Sequence, residues 1–291
     1  MDFLAPRSWA DALAARAEHP GAVAIAGGTD VMVELNFDRH RPAALLDLSR
    51  VPELARWSRQ DDGGVRVGAG VPYARVMAEL AGLAPGLAMA SRTVGSPQIR
   101  ARGTVGGNLG SASPAGDCHP VLLAVDAVVE VESVRGARSI PVAEFFTGVK
   151  RNALTPDELI AAVTLPPTSA LEQFAKIGTR NAMVIAVTSF GLALHPQRGR
   201  VGAAIGSAAP TPRHATTAED FVSAALADDG LWESRGELPP STGARFGDLV
   251  AAEAEPIDDV RGTAAYRRHA LSVLARRTLG WAWADYQGRA A

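Results

Sequence analysis

The sequence predicts an α+β fold built in two parts, and three observations carry that expectation. The first two-thirds mixes many short apolar strands with short helices and never settles into a regular βαβ alternation. A break at Pro166-Pro167-Thr168-Ser169 resists any regular element. Beyond it, three strands in meander spacing lead to a long terminal helix.

Ser8, with Asp11 three residues on, reads as a helix start, and the Ala/Leu-rich stretch that follows ends near Pro20-Gly21. Val23 to Ala26 is a short strand running into Gly27-Gly28-Thr29-Asp30. Leu45 to Leu48 and Val65 to Val67 are further strands bounded by turn residues. Pro72 suits the first turn of a helix through about Leu80, and a second helix runs from about Leu83 to Thr93. His119 to Val125 reads as a short apolar helix or turn. Val128 to Val131 and Ser139-Ile140 pair across a turn at Arg135-Gly136, and Leu159 to Leu165 is the last strand of the first part. In the second part Phe174 to Ile177, Val184 to Leu194 and Val201 to Ile205 form the meander, with Gln197-Arg198-Gly199 as a hairpin turn. Phe221 to Leu226 is a helix and 228–247 is loop-rich. Leu271, Leu274, Thr278 and Trp281 make one face of the terminal helix, and Arg267, Arg268, Arg276 and Arg277 flank it as a solvated surface.

Bulk properties exclude several classes of function. Twenty-nine basic against thirty-one acidic residues leave a formal charge of −2, which gives no electrostatic footprint for nucleic acid. Asp2, Arg7 and Asp11 interrupt every apolar stretch near Met1, and no run approaches the ~20 residues of a membrane span. A cytoplasmic protein without membrane insertion is expected. The single cysteine, Cys118, excludes a disulfide framework and any all-cysteine metal site.

The informative residues are glycines. Gly27, Gly28, Gly103, Gly106, Gly107, Gly110 and Gly116 cluster in what read as loops beside strands, where a missing Cβ lets backbone lie against a ligand. A strand ending in Gly-Gly-Thr-Asp offers consecutive N–H groups to a pyrophosphate. The second segment adds Asn108, Ser111 and Ser113, and Asp117 could accept from ribose or ribityl hydroxyls. No Gly-x-x-x-x-Gly-Lys-Ser/Thr occurs, and Gly68-Ala69-Gly70 lacks the third Rossmann glycine. Cys118-His119 in an extended segment would point apart, no His-Glu-x-x-His exists, and Ser111 and Ser113 lack a nucleophile elbow. The chemistry is therefore expected from a bound cofactor.

Ala26-Gly27-Gly28-Thr29-Asp30, Ser96-Pro97-Gln98-Ile99-Arg100 and the run from Arg102 to Asp117 resemble the FAD-binding medium subunits of molybdenum hydroxylases, the xanthine and carbon monoxide dehydrogenase type. The resemblance continues through Phe174-Ala175-Lys176-Ile177-Gly178-Thr179-Arg180 and Gly206 to Pro212. It implies a two-part FAD-binding domain of the vanillyl-alcohol-oxidase/PCMH type at 1–168, with subdomains of about 1–57 and 58–168. A smaller domain with a three-stranded antiparallel sheet and helices would occupy 169–291. It implies that Ile25, Ala26, Gly27, Gly28, Thr29, Asp30 and Val31 line the pyrophosphate and adenosine side. Thr104, Gly106, Gly107, Asn108, Ser111 and Asp117 would hold phosphate, ribityl and ring edges, and Ile160 and Lys176 would approach the isoalloxazine. The implied partners are a large molybdenum-cofactor subunit and a small subunit with [2Fe–2S] clusters. Alternatives are a stand-alone FAD oxidoreductase of this fold and a scaffolding subunit without flavin. Asn181-Ala182-Met183 stands where eukaryotic relatives carry acidic residues, so NAD is not implied as the acceptor. Val94 stands where some relatives place an aromatic against the flavin, so no stacking residue is named.

Overall fold

The structure, a computed structural model, describes residues 1–169 and 171–288. The expected second part therefore includes residues 170 and 289–291, which lie outside the described residues. The chain opens with β1 (Asp2–Leu4), α1 (Trp9–Glu18), β2 (Val23–Ile25), α2 (Val31–Asn36) and β3 (Ala44–Asp47). These strands form a parallel sheet in the order β1-β3-β2, with the central β3 buried throughout. Ser8 caps α1 as its sequence foretells, accepting from the Asp11 N–H at 3.1 Å. β1 escaped the sequence reading because it is only three residues long and mostly exposed.

Next come β4 (Trp57–Arg59), β5 (Val65–Gly68), α3 (Tyr73–Glu79), α4 (Pro85–Thr93), α5 (Pro97–Arg102), α6 (Val105–Ser111) and α7 (His119–Ala124). β6 (Val128–Ser133), β7 (Gly136–Pro141), α8 (Val142–Phe145), β8 (Phe146–Gly148), β9 (Arg151–Asn152) and β10 (Leu159–Leu165) follow. A five-stranded antiparallel sheet runs β4-β5-β10-β6-β7, its β10 almost wholly buried. The second glycine segment is largely helical: Gly106, Gly107 and Gly110 lie in α6, not in a loop. Cys118 and His119 likewise sit at a helix start, so the extended geometry expected for them is wrong.

The last third holds β11 (Glu172–Ile177), β12 (Thr188–His195), β13 (Arg200–Gly206), β14 (Arg213–His214), α9 (Thr216–Asp228), α10 (Leu231–Ser234), α11 (Pro240–Ala252) and α12 (Ala264–Tyr286). The expected meander is there, with a two-residue fourth strand added at its edge, and β12 begins later than the expected Val184. Its sheet is buried on both faces, and strand alternation divides the work. Phe190, Leu192, Leu194, Val201, Ala203 and Ile205 face the helices α9, α11 and α12 in a separate core. Ser189, Gly191, Ala193, Gly202, Ala204 and Gly206 turn the other way, toward α7. A Cβ on Gly191 would stand 2.6 Å from the Pro120 carbonyl carbon, and one on Gly202 would overlap the Ala124 carbonyl oxygen. The sheet accordingly meets α7 backbone to backbone.

Three expectations for this part fail. The loop-rich stretch 228–247 contains the start of the thirteen-residue α11, hidden by Pro239-Pro240 and by two glycines that bring it close to α12; a Cβ on Gly247 would lie 2.5 Å from the Ser272 carbonyl oxygen. Trp281 is 46% exposed and Trp283 is buried in its place, because the buried stripe of α12 centres on Ala275, Leu279 and Ala282. Arg267 is 2% exposed: it donates to the carbonyls of Val187 and Ser207, both at 2.7 Å, and to Asp259 at 2.6 Å. Its charge faces the Asp259 carboxylate and both terminal nitrogens are engaged, which offsets the burial of the guanidinium, while Nε is buried without a partner.

The flush contact with α7 makes a direct prediction. Gly191→Val should destabilise the protein by about 3 kcal/mol, since the clash is with backbone that cannot rotate away. A urea denaturation midpoint close to that of the wild type would refute the contact.

Candidate functional site

The two glycine segments converge where the parallel sheet meets the five-stranded one. The first leaves the carboxyl end of β2, the usual ligand-binding end of a parallel strand. Gly27 lies so close to the Arg102 carbonyl that a Cβ would overlap it, and Gly28 has φ +76°, a left-handed conformation that favours glycine. Both glycines are thus explained by backbone geometry. Their loop is functionally suggestive for another reason: among the described residues the N–H groups of Gly27, Gly28, Thr29 and Asp30 have no acceptor. Four unengaged amides in one half-buried turn form an anion-binding concavity.

In the second segment the amides are engaged. Val105 donates to Val71 O at 3.3 Å, Gly106 to Ala69 O at 3.0 Å, Gly107 to the Thr104 hydroxyl at 2.9 Å, and Asn108 to Thr104 O at 3.0 Å. Thr104 is therefore the N-cap of α6. The helix has two unlike faces. Val105, Leu109 and Ala112 enter the core, and Gly106 presses on Ala69, where a Cβ would meet the Ala69 backbone at 2.7 Å. Gly107 and Gly110 look outward, with only the Thr104 hydroxyl at 3.0 Å and the Ile160 Cδ1 at 3.9 Å near their absent Cβ positions. Ser111 continues that bare face and donates to Asp30, tying it to the first loop. Ile25 to Val31, Thr104, Gly107, Asn108, Ser111 and Ile160 are thereby gathered about one crevice. Gly106 stands behind it as packing.

Asp117 and Lys176 are brought together differently from the sequence expectation. The Lys176 ammonium donates to Asp117 Oδ2 at 2.6 Å and to the Thr93 carbonyl at 3.1 Å, and both side chains are over 90% buried. Thr93 also donates its hydroxyl to the same Asp117 oxygen at 2.8 Å. Burial pushes the Asp117 carboxyl above its ordinary range, and Lys176 and Thr93 pull against it. Asp117 Oδ1 is buried without a partner, as is Asn108 Oδ1. Two orphaned acceptors beside a bare helix face fit a hydroxyl-bearing ligand.

Sequence reasoning missed Thr93, Tyr73 and His119. Tyr73 packs its buried ring beside Gly103. His119 is fully buried, stacks near Phe146 at 4.5 Å between ring centres, and donates from Nε2 to the Asn108 carbonyl at 3.3 Å. It is wedged against Gly116, where any Cβ would strike the ring. None belongs to a recognisable motif; each acts through contacts between distant elements.

Comparison with known proteins gives the geometry a family. Residues 1–168 match the model for the FAD binding domain in molybdopterin dehydrogenase, and residues 173–282 match that for the CO dehydrogenase flavoprotein C-terminal domain. The chain is 31% identical over 286 residues to the nicotine 6-hydroxylase medium subunit of Paenarthrobacter nicotinovorans, covering 95% of each protein. It is 33% identical over 204 residues to the nicotinate dehydrogenase FAD-subunit of Eubacterium barkeri, covering 67% of this chain and 68% of that one. Among solved structures, quinoline 2-oxidoreductase from Pseudomonas putida 86 superposes with a TM-score of 0.87 at 26% identity, covering 99% of this chain and 98% of that chain.

Burial holds the His119 imidazole down to about 4 from its ordinary 6.5. The unfolded chain therefore takes up a proton near pH 6.5 that the folded chain refuses until about 4. Stability from this group is complete above pH 6.5 and falls by about 3 kcal/mol as the pH drops to 4. His119→Gln keeps a donor for Asn108 O but cannot titrate, so its stability should lose that much less between pH 7 and pH 4. Urea unfolding of both proteins at the two pH values measures the difference, and equal losses would contradict a buried neutral His119.

Proposed function

The chain belongs to the family of FAD-binding subunits of molybdopterin dehydrogenases, and on that premise we propose that it is the flavin-carrying electron-transfer subunit of a molybdenum hydroxylase. The observation that carries this reading is the pairing of four unengaged amides at residues 27–30 with the bare Gly107–Gly110 face of α6. The pyrophosphate would lie on the amides of Gly27 to Asp30, with Ile25, Ala26 and Val31 beside it. Thr104, Asn108 and Ser111 would meet the phosphate and ribityl groups across α6. The free Oδ1 of Asp117 would accept a ribityl hydroxyl while Lys176 holds Oδ2. Ile160, behind Gly110, would back the ring. The bound FAD supplies the redox chemistry that these side chains lack.

The electron source must be another chain. The one cysteine, Cys118, is buried and its thiol is pushed up to about 12, so it offers no thiolate to iron. No cluster of His, Cys, Asp or Glu suited to a metal occurs among the described residues. A small subunit with [2Fe–2S] clusters and a large subunit with the molybdenum cofactor complete the assembly, which passes electrons through this chain to an external acceptor. We place the division between domains at 168/169, assign the first to the vanillyl-alcohol-oxidase/PCMH type, and place the complex in the cytoplasm. No helix among the described residues is long and apolar enough to cross a membrane.

Two measurements test the reading. The purified chain should bind FAD and display the two visible bands of an oxidised flavin, bleached by dithionite. Gly107→Val should weaken FAD at least tenfold, or about 1.4 kcal/mol, with only a small drop in melting temperature, because the one atom its Cβ crowds is the Thr104 hydroxyl at 3.0 Å. Normal FAD retention by that folded variant would displace the cofactor from α6. Purification of the native complex should bring molybdenum, iron and two further chains. Recovery of an active chain alone would favour the stand-alone oxidoreductase.

A further inference from the structure

Glu172 is 2% exposed and takes no part in the crevice, yet its carboxylate ties three segments together. Oε2 accepts the Gly86 N–H at 2.9 Å, and Oε1 accepts the Thr168 hydroxyl at 2.8 Å. Gly86 is in the first turn of α4, where backbone N–H groups lack helical acceptors and the helix dipole is positive. A Cβ at Gly86 would stand 2.9 Å from the Glu172 Cβ, so the carboxylate reaches this amide only because residue 86 is glycine.

Four residues further along β11, and so on the same side of the strand, lies Lys176. Its ammonium donates to the carbonyl of Thr93, the last residue of α4, at the negative end of that helix. Four strand residues span roughly 13 Å, and the seven-residue rise from Gly86 to Thr93 spans roughly 10 Å. The match lets one strand bracket one helix, with a carboxylate at its positive end and an ammonium at its negative end. The chain direction of each element fixes this order; exchanging the two charges would make both contacts repulsive.

Thr93 and Lys176 are the two groups that hold Asp117 Oδ2. The axial position of α4 therefore governs where the Asp117 carboxylate points. We propose that Glu172 is a positioning residue of the flavin site: by fixing α4 through Gly86, it orients Asp117 through Thr93 and Lys176. The proposal rests on the assignment of FAD to the crevice.

The test uses the full chain with FAD. Glu172→Ala should raise the FAD dissociation constant about tenfold, the scale of one lost hydrogen bond to a charged group. It should also shift the flavin midpoint potential in the direction that Asp117→Asn does. Glu172→Gln, whose amide oxygen still accepts from Gly86, should return both quantities to near the wild-type values. If Glu172→Ala does not fold, Glu172→Asp, which keeps the charge and shortens the reach, replaces it in the comparison. A folded variant with a lowered melting temperature but unchanged FAD affinity and potential would reduce Glu172 to a structural role and overturn the proposal. Hydrogen exchange on the flavin-free chain separates this failure from failure of the FAD assignment. Residues 113–119 should lose protection in Glu172→Ala and keep it in Glu172→Gln; unchanged protection in Glu172→Ala overturns the coupling whether or not the wild type binds FAD.

Discussion

The seating of α7 on the small-residue face of the β11–β14 sheet is the contact on which the rest of the molecule depends. Gly191, Gly202 and Gly206 let strands β12 and β13 approach the backbone of Pro120 to Ala124 more closely than any Cβ would allow. His195 adds a bond from Nε2 to the Ala124 carbonyl at 3.1 Å, and the Ser207 N–H reaches the Pro114 carbonyl at 2.9 Å. Such tight packing gives the interface interior density and leaves little freedom for sliding. Asp117 lies two residues before this helix and Lys176 belongs to the sheet, so the buried ion pair between them is a by-product of the docking. The desolvation of both charges is offset only because their partners arrive at a fixed distance.

The same logic explains why glycine recurs through the candidate site for unlike reasons. Gly27 and Gly106 are pressed on neighbouring backbone, and Gly28 has a left-handed φ. Only Gly107 and Gly110 keep a face free. A sequence motif records all five as one letter, but substitution would harm folding at the first group and ligand access at the second. The first glycine segment carries the open amides, while the longer second segment offers a smooth helical wall. Each supplies what the other lacks, and the Ser111–Asp30 bond holds them in register.

Legibility in the sequence followed the locality of each interaction. The Ser8 cap, the Pro72 helix start, the β6–β7 hairpin and the strand character of β12 are fixed within a few residues, and each was readable. β1 and β14 exist only because a longer strand lies beside them. Helix α11 depends on glycines meeting α12, and glycine lowers helix propensity in any local reading. Arg267 looked like solvated helix surface because its acceptors, the carbonyls of Val187 and Ser207, are 80 and 60 residues away. Within the site, the motif residues were legible as types. That Asp117 and Lys176 share a bond, or that His119 supports Asn108, follows only from tertiary contacts.

The buried charges near the crevice also explain why this chain would serve as a relay and not as the seat of substrate chemistry. A general acid or base needs a proton that can exchange with a reacting group, and a pKa tuned toward the working pH. Asp117 is held on one oxygen by Lys176 and Thr93, His119 is kept neutral by burial, and Cys118 is kept a thiol. All three side chains are buried, away from exchange with a reacting group. A site with static charges and few mobile protons suits binding a redox cofactor and holding its electrostatic surroundings constant. Proton-coupled transformation of a substrate would require the opposite arrangement.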